Sequence, residues 1–323
     1  MVYPMNKDLD LALLHKIALR IRLVETRIAE KYSEGNMRCP VHLSIGQEIP
    51  SAIFQQLVKP GDTAISTHRA HAHYLAMGGD LPKMIAEIFG KVTGCSKGRG
   101  GSMHLIDLEK GFLGSSAIVG NSIPIGVGVG YAKQLTKDSG VSFVFLGDGA
   151  TEEGAFFESA NFAAVHKLPV VFVLENNLYS VYTGLSPRQP ENRSIIELSN
   201  SIGLKCDTVE DSDFRSTYLK MSELIQYARE GSGPSLIEIK TYRKLEHCGP
   251  NDDDDLGYRP SHELSKFKNI DLVDNLEKLL DLSVDQIKEI KSSIHSEIDN
   301  AFDFAYSSPF PDYAEVIGDV YAN

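Results

Sequence analysis

Cysteine is scarce and scattered in this sequence. Its 323 residues include four cysteines, which lie far apart and form no Cys-x-x-Cys pair. Neither a disulfide framework nor a zinc site of the usual spacing is therefore expected, and separate thiols suit a reducing, cytoplasmic environment. Long uncharged apolar runs are missing too. The most apolar stretch, Ile118–Tyr131, is too short for a membrane span and contains Asn121, Pro124 and four glycines.

Positive charge is also in short supply. The chain has 32 Lys and Arg residues against 44 Asp and Glu residues, which gives a formal net charge of −12. Nucleic acids and anionic membranes both require a basic surface, so neither is expected as a partner. The amino terminus carries charges within its first ten residues and no apolar core of the signal-peptide type. A soluble, cytoplasmic protein is predicted.

Two familiar nucleotide-binding motifs are absent. No Gly-x-Gly-x-x-Gly follows a predicted strand with an acidic residue about 20 positions later, so a nicotinamide enzyme of the Rossmann type is not indicated. The glycine-rich segment Gly94–His104 contains Lys97 and Arg99. It lacks the Gly-Lys-Ser/Thr ending of a P-loop and follows no clear strand, so it is not interpreted as a P-loop.

The most informative stretch that is present is Val141–Tyr179. Two apolar, β-branched runs of strand length flank a segment of helical period, which is typical of a β-α-β unit in a parallel sheet. The first run ends in Gly-Asp-Gly at 147–149 and the second in Asn-Asn at 176–177. Because ligands bind at the carboxyl ends of parallel strands, both polar clusters should face one crevice.

These residue types suit a metal ion with bound phosphate. Asp148 offers a carboxylate oxygen and Asn177 an amide oxygen, which are hard ligands of the kind Mg²⁺ prefers. Gly149, Ala150 and Thr151 are expected to open the following helix, so that their N–H groups and its positive end can meet an anion. Gly-Asp-Gly alone would fit a simple strand-to-helix turn, but its combination with Asn177 is more specific.

Gly-Asp-Gly followed one strand later by Asn-Asn is similar to the thiamine diphosphate signature. The sequence from about His42 to His247 resembles the alpha subunits of the 2-oxo acid dehydrogenase first component, the pyruvate, branched-chain and acetoin dehydrogenase group. The resemblance implies an α/β fold with a parallel sheet of the diphosphate-binding type and helices on both faces. We expect this fold at residues 1–260, with an N-terminal helix at 8–35, and a small helical extension at 261–323.

The resemblance also implies how the cofactor is held. Asp148, Asn177 and the main-chain oxygen of Tyr179 would bind Mg²⁺. Main-chain groups of Ala117 and Val119 would contact the aminopyrimidine ring. The diphosphate would be held by the guanidinium of Arg69, the imidazole of His68 and the main-chain groups of Gly149 and Ala150. The family usually has Tyr where this chain has His68.

Two histidines are candidates for catalysis. His247 follows a predicted strand, a good position for acid–base work or for a developing oxyanion. By resemblance it is the family's catalytic loop histidine. His42 lies in a His-Leu-x-x-Gly-Gln-Glu segment that in the family lines the cofactor and substrate cavity. Both are therefore also expected to contact the cofactor.

The resemblance implies partners as well. Thiamine enzymes need a glutamate on the aminopyrimidine nitrogen, and in this family a separate beta subunit supplies it. A heterotetramer of two alpha and two beta chains is therefore expected, acting on a 2-oxo acid or an acyloin. The acyl group would pass to a lipoyl acyltransferase component. The sequence does not identify which oxo acid or acyloin is used.

Two other interpretations stay open. Departures from the family pattern at His68, Leu245 and Glu246 are compatible with a related two-subunit thiamine enzyme that carries out lipoate-independent decarboxylation or acyl transfer. A non-catalytic subunit that retains the fold belongs to another class, and the intact metal and histidine motifs argue against it. The acidic run 252–255 is interpreted as a solvated loop rather than a cation site.

Overall fold

The computed structural model describes residues 9–37, 39–267 and 269–318, so the outer ends of the predicted ranges 1–260, 8–35 and 261–323 lie outside the described residues. The strands are β1 (Thr63–Ser66), β2 (Phe112–Ser115), β3 (Ser142–Gly147), β4 (Val170–Asn176), β5 (Tyr179–Ser180), β6 (Thr183–Gly184), β7 (Lys205–Glu210) and β8 (Ser235–Lys240). The helices are α1 (Leu11–Tyr32), α2 (Glu48–Leu57), α3 (His71–Ala76), α4 (Leu81–Ile88), α5 (Ser122–Thr136), α6 (Gly154–His166), α7 (Ile195–Ile202), α8 (Phe214–Arg229), α9 (Ser261–Phe267), α10 (Leu272–Leu279), α11 (Val284–Ser307) and α12 (Tyr313–Ile317).

Six strands form one parallel sheet in the order β2-β1-β3-β4-β8-β7, and β5 pairs with β6 in a short antiparallel hairpin. Strands β3 and β4 lie at the centre and are almost wholly buried, as their continuous apolar sequences require. The chain passes from β3 through α6 to β4, which confirms the predicted β-α-β unit.

Helices cover both faces of the sheet. On β3, Phe143 and Phe145 belong to a core cluster shared with α1, α2, α4, α8 and α11. Val144 and Leu146, which alternate with them, pack in a second cluster with α5, α6 and α7. This period-two alternation along one strand fills both layers. The predicted α/β class, with a parallel sheet and helices on both faces, is confirmed.

The C-terminal helices share the first of these cores. Ile294, Ile298 and Phe302 of α11 are buried in the cluster that contains α1 and α4. The ring of Phe302 meets the ring of Phe89 edge to face, with centroids 5.8 Å apart. Helix α11 therefore shares one core with the α/β part of the chain. The boundary at residue 260 between an α/β domain and a helical extension stays a prediction. Among the described residues, none of the helices is long and apolar enough to cross a bilayer.

Candidate functional site

One cavity lies at the carboxyl edge of the sheet, beyond the ends of β1, β2, β3, β4 and β8. Its volume is about 190 Å³, smaller than two other cavities of about 590 and 480 Å³. This cavity is therefore the candidate site because of its position at the strand ends and its lining residues, and not because of its size. The residues predicted from sequence to form the site all line this cavity, and they are His42, His68, Arg69, Ala117, Val119, Asp148, Gly149, Ala150, Asn177, Tyr179 and His247.

Asp148, predicted to bind metal, follows β3 and is only 2% exposed. Burial raises the pKa of its carboxyl group, because the charged form loses water, while a hydrogen bond from Arg188 lowers it. The guanidinium of Arg188 pairs with both Asp148 and Glu152. Sequence reasoning missed this contact, because Arg188 lies in an irregular loop without any periodic pattern. The predicted metal ligand therefore lies beside a fixed positive charge.

Asn177 and Tyr179 are positioned by a tight turn after β4. Leu178, between them, has a positive φ of 71°. The Asn177 Oδ1 atom accepts a hydrogen bond from the Tyr179 N–H at 3.2 Å, and its Nδ2 donates to the Gln47 Oε1 at 3.1 Å. These two bonds assign the amide orientation and fix the amide oxygen at the cavity wall. The Tyr179 hydroxyl donates to Glu263 at 2.7 Å, which anchors the other end of this turn.

The segment after Asp148 was predicted to open α6, and this prediction is wrong. Asp148–Glu152 form a separate 3₁₀ turn, and α6 begins at Gly154 after Glu153 adopts an extended conformation. Gly149 and Ala150 still line the cavity. A Cβ atom at Gly149 would lie 2.7 Å from the Ser180 Oγ and 3.1 Å from its Cβ, so a side chain here would require Ser180 to move. Any anion held here would meet a single tight turn, not the end of a long helix.

Arg69 provides positive charge deep in the cavity. It follows β1, is 6% exposed, and donates to the main-chain oxygens of Leu43 and His247, the latter at 3.0 Å. Burial and the nearby Arg243 lower its pKa to about 9, so the guanidinium stays protonated at neutral pH. Within the described ranges, no carboxylate lies at ion-pair distance from it. A buried cation paired only with carbonyls is well suited to an anionic ligand.

Three histidines meet at this cavity. The ring centroids of His42 and His68 are 4.6 Å apart, those of His42 and His247 4.9 Å, and those of His68 and His247 5.2 Å. Burial is the main cause that lowers their pKa values, to about 2 for His42, about 3 for His68 and about 4 for His247. The charge of Arg69 lowers all three further. At neutral pH these imidazoles are uncharged and can donate or accept a hydrogen bond.

Ala117 and Val119 lie in the loop between β2 and α5. The side chain of Val119 is 51% exposed and that of its neighbour Ile118 is 64% exposed. Gly120, with a φ of 80°, lets the chain turn back into α5. These residues line the cavity, and the exposure of Ile118 and Val119 places this loop at the protein surface.

The glycine-rich segment Gly94–His104 binds an anion, but the anion is part of the chain. Glu87, at the end of α4, is fully buried inside the loop. Its two carboxylate oxygens accept four main-chain N–H groups at 2.6–3.2 Å, from Ser96, Gly98, Gly100 and Gly101. Its glycines let main-chain N–H groups converge on an anion, as in a phosphate loop, but the anion here is the carboxylate of Glu87. It places Met103 against the cavity.

The acidic run after His247 is only partly solvated. Asp252 and Asp255 are exposed, as predicted, but Asp253 is 1% exposed, and for it the prediction is wrong. Asp253 accepts a hydrogen bond from the Tyr258 hydroxyl and pairs with the buried guanidinium of Arg243 at 3.3 Å. Arg243 itself lines the cavity. Asp253 therefore ties this loop to Arg243 at the cavity.

Comparison with known proteins agrees with this arrangement. Residues 16–314 match the model of the dehydrogenase E1 component family. The pyruvate dehydrogenase E1 component subunit alpha of Rickettsia typhi is 35% identical over 310 residues, 95% of this chain and 94% of that protein. The alpha subunit of acetoin:2,6-dichlorophenolindophenol oxidoreductase from Bacillus subtilis is 36% identical over 308 residues, 94% of this chain and 91% of that protein. The resemblance seen in the motifs is confirmed, and the chain belongs to the dehydrogenase E1 component family of thiamine diphosphate-dependent oxidoreductases, among its alpha subunits.

Proposed function

We propose that this chain binds thiamine diphosphate with Mg²⁺ and, together with a beta subunit, cleaves a 2-oxo acid or an acyloin and transfers the acyl group to a lipoyl acceptor. One observation carries the proposal. Residues from five separate strand ends, chosen from sequence motifs and the family resemblance, line the same cavity. The relatives act on pyruvate or acetoin by name, and either kind of substrate suits this proposal.

The residues present fit the metal and the diphosphate. Asp148 and Asn177 supply oxygen donors, as Mg²⁺ requires, and the main-chain oxygen of Tyr179 would be the third. Arg188 already neutralises Asp148, so a metal ion here would have to share that carboxylate or displace the guanidinium. Arg69, which pairs with no carboxylate among the described residues, would hold the diphosphate. His68 and the Gly149–Ala150 turn would complete this contact.

The histidines would act on the substrate. Bound thiamine diphosphate supplies a nucleophilic ring carbon and an electron sink for cleavage next to a carbonyl. Uncharged His42 and His247 can donate an N–H hydrogen bond to a carbonyl or carboxylate oxygen. A bound diphosphate would offset the charge of Arg69, so it would raise the pKa values of both imidazoles and favour proton transfer near neutral pH.

An exposed apolar surface supports a partner subunit. Helices α5 and α6 expose large apolar side chains, namely Ile125, Leu135, Phe157, Phe162 and Val165. Val165 is 70% exposed. Contiguous exposed apolar residues of this kind mark protein interfaces. We infer that a beta subunit covers this surface and contributes the glutamate for the aminopyrimidine ring, in a heterotetramer of two alpha and two beta chains.

Calorimetric titration with thiamine diphosphate and Mg²⁺ tests the proposal, on this chain alone and with its beta subunit. We expect binding in the co-complex, its loss in Asp148→Ala, and no loss in Asp252→Ala, an exposed control. His247→Ala should retain cofactor binding and lose turnover. Cofactor affinity that survives Asp148→Ala would refute the metal assignment. Full activity of the chain alone would refute the shared site.

The acyl acceptor is open to a second candidate. The Bacillus subtilis relative is named for a dye acceptor and not for a lipoyl domain, and His68 changes the cavity where the family usually has Tyr. A lipoate-independent enzyme would use the same cofactor site with another acceptor. Turnover with the dye, measured with and without a lipoyl domain, separates the two. A rate that does not depend on the lipoyl domain would favour the second candidate.

A further inference from the structure

The three imidazoles in the cavity come from separate parts of the chain and have unused nitrogens. His42 precedes α2, His68 follows β1 and His247 follows β8. Each offers a ring nitrogen, and these three nitrogens all lie within 4.8 Å of one another. Among the described residues, no side chain or main-chain group is hydrogen-bonded to any of the three rings. His42 is 94% buried, since it is 6% exposed, and its Nδ1 has no partner.

Buried imidazoles usually satisfy their nitrogens with protein or water. His71 and His73 do so in this chain: both ring nitrogens of each have partners at 2.7–3.2 Å. The three rings around the cavity instead bring one nitrogen each to within 4.8 Å of the other two. Three such nitrogens form the ligand set of an open zinc site, in which water or substrate takes the fourth position.

We propose that His42, His68 and His247 form a binding site for a divalent transition metal of the Zn²⁺ class, separate from the oxygen-lined Mg²⁺ site at Asp148 and Asn177. The two ion classes separate by ligand type, because Zn²⁺ favours imidazole nitrogen and Mg²⁺ favours oxygen. The Zn–N distance of about 2.1 Å requires nitrogens roughly 3.4 Å apart, so the rings would have to turn toward one another from separations of up to 4.8 Å.

His68 is the decisive ligand. The family usually has Tyr at this position, which would leave two imidazoles and no third nitrogen. Two neighbouring cations, Arg69 and Arg243, oppose the binding of a metal ion and limit its affinity. Once bound, Zn²⁺ would occupy the nitrogens that His42 and His247 need for the substrate. The metal would therefore inhibit turnover, and this consequence rests on the proposed function, whereas the binding itself does not.

The test uses the full chain, Co²⁺ as a spectroscopic probe, and Zn²⁺ in competition with it. Wild type should bind one ion with the visible absorption of Co²⁺ in a nitrogen-rich site, and Zn²⁺ should displace it. His68→Tyr should weaken binding by at least about tenfold, since even the loss of an outer-shell partner costs about 10–100-fold. His262→Gln, which changes an exposed histidine outside the cluster, should bind as wild type does.

Equal Zn²⁺ affinity in wild type and His68→Tyr would overturn the proposal, as would the absence of Co²⁺ absorption in wild type. If His68→Tyr does not fold, judged by its thermal unfolding, His68→Asn takes its place. The cysteines are unchanged in every variant, so any thiol contribution cancels in the comparison. Titration of wild type with thiamine diphosphate and Mg²⁺, without Zn²⁺, is a separate measurement. Failure there would count against the proposed function and leave the zinc site standing.

Discussion

Glu87 provides the sharpest test of how the site is supported. In Glu87→Gln the side chain keeps its size and helix propensity, but one of its two oxygens becomes an NH₂ group. That group would face two of the four main-chain N–H donors that the carboxylate binds at 2.6–3.2 Å. Two hydrogen bonds to a buried charge would be lost, each worth about 1.5–3 kcal/mol. The expected loss in the free energy of unfolding is therefore about 3–6 kcal/mol.

Urea unfolding followed by circular dichroism measures this loss, and trypsin cleavage in the 94–101 loop reports its local effect. The matched control is Glu109→Gln, because Glu109 is exposed, and it should change the free energy of unfolding by less than about 0.5 kcal/mol. If Glu87→Gln unfolds within about 0.5 kcal/mol of wild type, the four bonds do not hold the loop and the reasoning fails.

Three further predictions concern other parts of the chain. Burial raises the pKa of Asp211 to about 7 from 3.8. Between these pH values the folded state holds a proton that the unfolded state releases, so the free energy of unfolding falls as pH rises. In urea unfolding, Asp211→Asn should therefore be more stable than wild type by up to about 4 kcal/mol near pH 8 and equally stable near pH 4. A gain that is equal at both pH values would contradict this. Arg229 binds the buried Asp62 at 2.7 and 2.8 Å, so Arg229→Ala should cost about 3–5 kcal/mol in the same assay, and a loss below about 1 kcal/mol would be inconsistent with a buried pair. Gly149→Ala should weaken thiamine diphosphate binding in calorimetry, because its Cβ would meet Ser180. Adding Ser180→Gly should restore binding. Unchanged affinity in the single variant would contradict the steric argument.

The sequence predicts the central part of this fold well for a physical reason. Strands β3 and β4 are buried on both faces, so they must be continuously apolar, and polar residues appear only where they end. Asp148 and Asn177 therefore stand out in the sequence, and parallel pairing brings both to the same edge. His68 and His247 follow two other strands of the parallel sheet, β1 and β8. Parallel pairing therefore brings these two histidines to the same edge as well.

Contacts made by irregular segments could not be predicted in this way. Arg188 and Asp253 lie in loops, and Glu87, in α4, binds the irregular 94–101 loop. The conformation of these loops depends on distant partners, and no periodic pattern marks the contacts. The start of α6 was misplaced because glycine at 149 suits both a helix start and a 3₁₀ turn. Only the extended conformation of Glu153 decides between them, and the sequence carries no signal for it.

The two hydrogen bonds of Arg69 have a consequence for how this protein can be dissected. Its guanidinium ties the main chain at Leu43, near the start of the sequence, to the main chain at His247, 178 positions away from Arg69 itself. Fragments that separate these segments would each lack part of the pocket and leave a charged side chain without partners. A loss of activity on substitution of Arg69 would therefore mix ligand binding with assembly of the site.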